Sequence, residues 1–137
     1  RTFVKGTPPP IVAQAFEAVN EAKAAAKTEI APERPAAAAH NAAADVLSAH
    51  GFTTSTSAES GPSGFIHSLG HGLGLNLHEW PRVSNAGETV LQPGHVMTVE
   101  PGLYYPEWGG VRLEDVVAVT ENGYENLTRI PVFLAIA

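Results

Sequence analysis

Apolar residues recur at helical spacing in the first third of the chain. Val12, Phe16, Val19 and Ala26 fall on one face, with Glu17, Glu21, Lys23 and Lys27 between them. Pro8, Pro9 and Pro10 fit a turn and a helix start, because proline is pre-set for the first helical turn and lacks the N–H that would go unbonded there. Pro32 and Pro35 interrupt the pattern, so a second helix is predicted to begin near Pro35. It carries Ala39, Ala43, Val46, Leu47 and His50 on one face, with Gly51 placed to cap its end. Sixteen of the 21 alanines lie between Ile11 and His50. Side chains that small allow close approach to another surface, so the two helices are expected to cover a sheet.

Beyond Phe52 the period changes. Thr53 to Ser63 is rich in Ser, Thr, Gly and Pro and reads as a loop. Short β-type runs follow at His95 to Val99, Val111 to Leu113, Val116 to Thr120, and near Pro131 to Ile136. Asn122-Gly123 is a strong turn signal. Thr2-Phe3-Val4 reads as the end of a strand. Helices followed by paired strands imply an α+β layer architecture.

With 137 residues the chain is one domain's worth. A formal net charge of −6 argues against a nucleic-acid partner, since phosphate binding needs clustered Lys and Arg. No apolar stretch is long enough to span a membrane. The absence of cysteine excludes disulfides, thiolate catalysis and zinc–thiolate sites. The first residues carry no apolar signal region, and a cytoplasmic setting is the expectation.

Three segments concentrate ionisable residues. In the first, His67, His71 and His78 lie among Gly70, Gly72 and Gly74, which disfavour a helix. In an extended chain His67 and His71 share a face, and His78 joins them only if the chain bulges or turns. A loop with surface histidines is the plain alternative. In the second, an apolar run ends in Glu100 and is followed by Pro101-Gly102, the pair a type II turn prefers. A solvated turn glutamate is the alternative there. In the third, Arg112 and Glu114 share one strand face while Val111 and Leu113 share the other. If the polar face is inward, its charges need partners or a metal; if outward, this is an edge strand in water. Taken together, one imidazole and two carboxylates make a mainly oxygen-donating set that suits Mn, Co or Zn. Glu114 is placed to bridge two ions.

The runs from His67 through His71 to His78-Glu79-Trp80-Pro81, from Glu100 to Tyr104, and from Gly110 to Asp115 resemble the C-terminal signatures of the pita-bread metallopeptidases. That superfamily includes methionine aminopeptidase, aminopeptidase P, prolidase and creatinase. The likeness is greatest to Xaa-Pro dipeptidases (prolidases) and short Xaa-Pro aminopeptidases. It implies an incomplete pita-bread fold, with two helices on a curved, mainly antiparallel sheet. It also implies hydrolysis of the peptide bond before proline, with a peptide substrate carrying proline second and two divalent ions in the intact enzyme. His71, Glu100 and Glu114 would be metal ligands. His67, His78 and Glu100 would be catalytic, the histidines binding substrate and Glu100 moving the proton of the attacking water. Arg112 would stand behind the bridging glutamate.

The resemblance further places two aspartate ligands and another histidine ahead of Arg1-Thr2-Phe3. Residues 1–137 are therefore expected to be the C-terminal part of a catalytic domain, inactive alone, with metal absent or weakly bound. An uncovered apolar sheet face and a free strand edge lead to the expectation of a homodimer or larger assembly. Two other readings compete. One is a non-catalytic pita-bread binding domain, which retention of His71, Glu100 and Glu114 disfavours. The other is a metal-free creatinase-like hydrolase.

Overall fold

The computed structural model describes residues 1–54 and 63–137. Nearly all of the predicted Ser/Thr/Gly/Pro loop at 53–63 lies outside the described residues. The elements run β1 (Val4–Lys5), α1 (Pro10–Thr28), α2 (Ala36–Ala49), β2 (Gly70–Gly72), β3 (Glu79–Val83), β4 (Val96–Val99), β5 (Gly102–Tyr105), β6 (Gly109–Arg112), β7 (Asp115–Thr120), β8 (Gly123–Asn126) and β9 (Ala135–Ile136).

Both helices begin where proline dictates. Pro10 opens α1, and Pro35 stands in extended backbone just ahead of α2. The end of α2 is a Schellman motif. Gly51 takes a φ of 83°, its N–H bonds the Ser48 carbonyl, and the Phe52 N–H bonds the Leu47 carbonyl at 3.0 Å. Phe52 and Leu47 are both buried, supplying the apolar contact that accompanies this motif. Alanines 15, 18, 22 and 26 of α1 and 36, 39 and 43 of α2 are buried, which lets the two helices pack closely. His50 Nε2, at the end of α2, lies 2.8 Å from Glu21 Oε2 on α1.

The main sheet has five strands in the order β3-β2-β4-β7-β8, every neighbouring pair antiparallel. β5 and β6 form a separate antiparallel hairpin, and β1 pairs with β9 in parallel. Along β7, Asp115, Val117 and Val119 are buried while Val116, Ala118 and Thr120 are less so, the period of two that one covered face requires. The helices contribute Val12, Phe16, Val19 and Leu47 to a core shared with Met97, Val99, Leu103 and Val111.

Three expectations are corrected. The last run shortens to Ala135–Ile136, because Pro131 has no N–H to give to a ladder and exposed residues follow it. Val111 is strand but Leu113 is not, since the chain leaves the hairpin after Arg112 to enter β7. Gly102 does not take the left-handed backbone of a type II turn; it starts β5. A Cβ on Gly102 would meet the Tyr104 hydroxyl at 2.7 Å, so the glycine makes room for that side chain.

Candidate functional site

The site lies where β2, the end of β4 and the β5–β6 hairpin meet. Glycines bring these backbones together: a Cβ on Gly70 would overlap the Thr98 carbonyl, and one on Gly72 the Trp80 carbonyl. The β2–β3 register breaks between His71 and Gly72. That irregularity, and the loop at residues 73–78, carry His78 back to His71, their rings meeting edge-on at 4.5 Å. The odd spacing between the two is thus resolved by a bulge and a turn.

His71 Nε2 lies 3.1 Å from Glu100 Oε1. Its Nδ1 is 2.9 Å from the Gly72 carbonyl, which can only accept, so Nδ1 carries the proton. In the neutral ring a bare lone pair on Nε2 then faces a carboxylate oxygen. Two acceptors so placed need a proton or a cation between them, and an imidazole oriented by a carbonyl behind it is the usual setting of a metal ligand. On this ground His71 and Glu100 fit a divalent metal ion. Buried Thr98 holds the pair from below: its hydroxyl accepts the His71 N–H at 3.0 Å and donates to Glu100 Oε1 at 2.8 Å. Arg112 Nε lies 3.8 Å from Glu100 Oε2, and Arg112 Nη1 donates to the Tyr104 hydroxyl at 3.2 Å.

His71, Glu100, Tyr104 and Arg112 line an open cleft of about 790 Å³, together with His67, His78, Glu79 and Arg82. His67 Nδ1 is 2.7 Å from the Ser68 carbonyl, which by the same reasoning fixes the proton there. Its Nε2 is buried, with no partner among the described residues. Glu114 stands apart from the other two predicted ligands. It lines a neighbouring cleft of about 360 Å³ with Arg1 and Thr2, and Tyr104 and Arg112 border both clefts. Among the described residues, no three His, Asp or Glu side chains are grouped to hold one ion.

Behind Glu114, Asp115 is buried and ringed by cations. Arg1 Nη2 lies 2.8 Å from Oδ1, while Lys27 and Lys23 lie 2.8 Å and 3.2 Å from Oδ2. Arg1 Nη1 also donates to the Glu114 carbonyl. Burial alone would raise the Asp115 pKa. Hydrogen bonds from Lys27 and Arg1, and the charge of Lys23, outweigh it and hold the carboxyl at about 2. Burial pulls Lys23 below the ordinary lysine range in spite of its partner.

The sequence motifs assign no role to Thr98, Arg82 or Glu79. Thr98 had a signal: it is the one hydroxyl in an otherwise apolar run, two residues before Glu100. Glu79 accepts the Asn76 N–H at 2.8 Å and fixes the exposed loop that carries Leu75 and Leu77.

Two helices cover an antiparallel sheet, and an imidazole and a carboxylate face each other in the cleft beside it. The chain belongs to metallopeptidase family M24, whose family model matches residues 1–121. It is 43% identical over 129 residues to an Xaa-Pro dipeptidase of Pyrococcus furiosus, a match covering 94% of this chain and 34% of that protein. Among solved structures, the Xaa-Pro dipeptidase from Bacillus anthracis superposes with a TM-score of 0.88 at 36% identity, over 100% of this chain and 36% of that one. The X-Pro aminopeptidase from Thermotoga maritima gives 0.80 at 29% identity, over 98% and 36%. The fold is the pita-bread fold of this family, and the chain spans about a third of the length of the relatives it matches.

Proposed function

We propose that this chain contributes metal-binding and proton-transfer residues to an exopeptidase that hydrolyses the peptide bond before proline. The opposed acceptors His71 Nε2 and Glu100 Oε1 carry the reading, and the Xaa-Pro peptidases among its relatives support the substrate class. His71, Glu100 and Glu114 would hold two divalent ions, Mn, Co or Zn, completed by donors from a longer catalytic domain of which this is the C-terminal part. When bound, such ions acidify a water and polarise the scissile carbonyl.

The remaining steps belong to the side chains. Glu100 Oε2, the oxygen that Thr98 leaves free, takes the proton of the attacking water. His67 Nε2 accepts a hydrogen bond from a substrate N–H. His78, at the cleft rim beside His71, donates to the oxygen that gains charge. Arg112 balances the negative charge of Glu100.

Alone, the chain offers too few donors to hold two ions tightly, and weak metal binding without peptidase activity is expected. Calorimetric titration with Mn²⁺ tests this: His71→Ala and Glu100→Gln should remove the weak binding, and unchanged titrations in both would sink the proposal. Tight uptake of two ions with normal turnover of an Xaa-Pro dipeptide would sink the claim of dependence on further donors. In the longer enzyme, Glu114→Ala should abolish Xaa-Pro hydrolysis and lower metal content. His78→Ala should slow turnover on the order of 100-fold and leave metal content intact. Self-association belongs to the same reading. Phe3, Ile130 and Phe133 are exposed, and the rings of Phe3 and Phe133 meet at 5.0 Å. A monodisperse monomer in light scattering would remove it.

A further inference from the structure

Helix α2 also reaches the site. Its His40 is 5% exposed, and Nδ1 accepts the Leu69 backbone N–H at 3.2 Å. Accepting requires a bare lone pair, so the ring is neutral with its proton on Nε2. Burial, reinforced by nearby His67, lowers the His40 pKa and favours that state. The ring stacks on Phe65 at 5.0 Å, and Phe65 meets the His67 ring edge-on at 5.3 Å. Leu69 is fully buried, and its carbonyl accepts the Glu100 N–H at 2.8 Å. One residue midway between His67 and His71 is thus bonded to His40 through its N–H and to Glu100 through its carbonyl.

We infer that His40 is a positioning residue which, through Leu69, sets the His67–His71 segment against Glu100. The inference rests on the reading of His71 and Glu100 as metal donors, and goes beyond it by assigning part of the site's geometry to helix α2. If His40 only filled space, any ring of similar size would serve.

The ¹⁵N-labelled 137-residue chain tests this with two variants. His40→Phe keeps the stack on Phe65 and removes the acceptor, whereas His40→Asn restores an acceptor near the position of Nδ1. Two quantities are read: amide exchange at Leu69 and Glu100, and the Mn²⁺ concentration that half-broadens the His71 and Glu100 signals. An unsatisfied buried N–H should raise both by about tenfold in His40→Phe, with most of each recovered in His40→Asn. A phenylalanine variant that titrates like the unsubstituted chain, or an asparagine variant as impaired as phenylalanine, overturns the inference. If His40→Phe does not fold, His40→Leu against His40→Asn makes the same comparison with a smaller side chain. If Mn²⁺ broadens nothing in the unsubstituted chain, the metal reading fails, and exchange at Glu100 still decides the positioning role. Unchanged Glu100 exchange would then overturn it.

Discussion

Asp115 and Glu114 are consecutive carboxylates, yet one is enclosed by Arg1, Lys23 and Lys27 while the other lines a cleft. Glu114 lies in the connection ahead of β7 and lines the smaller cleft, whereas Asp115 opens β7 and turns toward α1. On the helix side the charge is fully paired, and the pKa of about 2 records how firmly the ionised form is held. On the site side, His71 Nε2 and Glu100 Oε1 point acceptor at acceptor, an arrangement that is unfavourable until something positive enters. The same residue types therefore serve opposite ends. Saturated partners fix the backbone that carries Glu114, and incomplete partners leave binding energy available to a ligand.

The sharpest way to break this contrast is to remove each carboxylate in turn. Asp115→Ala leaves Lys23 and Arg1 buried without a counter-charge and should cost about 3–5 kcal/mol in urea unfolding. Glu114→Gln should cost less than about 1 kcal/mol. Equal losses would mean that Glu114 is as structural as its neighbour.

A smaller effect comes from acid. The Asp115 pKa is depressed in the folded state, so its contribution is fully present above the unfolded value of 3.8 and is lost as pH falls through about 2. The shift corresponds to about 2 kcal/mol. Asp115→Asn should flatten the stability profile in that window; a profile as steep as before would show that another group controls it. The smallest effect is stabilisation of the fold by Mn²⁺, which at a concentration near its Kd should not exceed about 1 kcal/mol. It should vanish in Glu100→Gln and persist in His78→Ala.

Where chemistry and local periodicity agreed, the fold was legible. Pro10, Pro35 and Gly51 marked helix ends because proline and glycine act locally. His95 to Val99 and Val116 to Thr120 read as strands because they are mostly β-branched and apolar, and the first of the two starts one residue later, at Val96. β2 and β3 escaped because Gly70-His71-Gly72 and Glu79 to Val83 show no clean alternation; close packing against Thr98 and Trp80 makes them strands. β8 escaped because only Tyr124 in Gly123–Asn126 has strong strand character. In the site, His71 and Glu100 meet at 3.1 Å, a pairing that the family resemblance implies and spacing alone does not. Glu114 lines the adjoining cleft, with Tyr104 and Arg112 bordering both, a placement that spacing does not encode. His40 read only as one more residue of an alanine-rich helix, since its bond to Leu69 joins distant parts of the chain.

The parallel pairing of Val4 with Ala135 carries a consequence for translation. A ribosome releases residue 4 long before residue 135 exists, so β1 emerges before its mate β9. The helix pair and the β5–β6 and β7–β8 hairpins join sections close in sequence and can form as they appear. Until Phe133 leaves the exit tunnel, Phe3 has no ring to lie against. Pairing of β1 with β9 therefore follows the local hairpins, and a pause between the two leaves β1 open to chaperones or to strands of other chains.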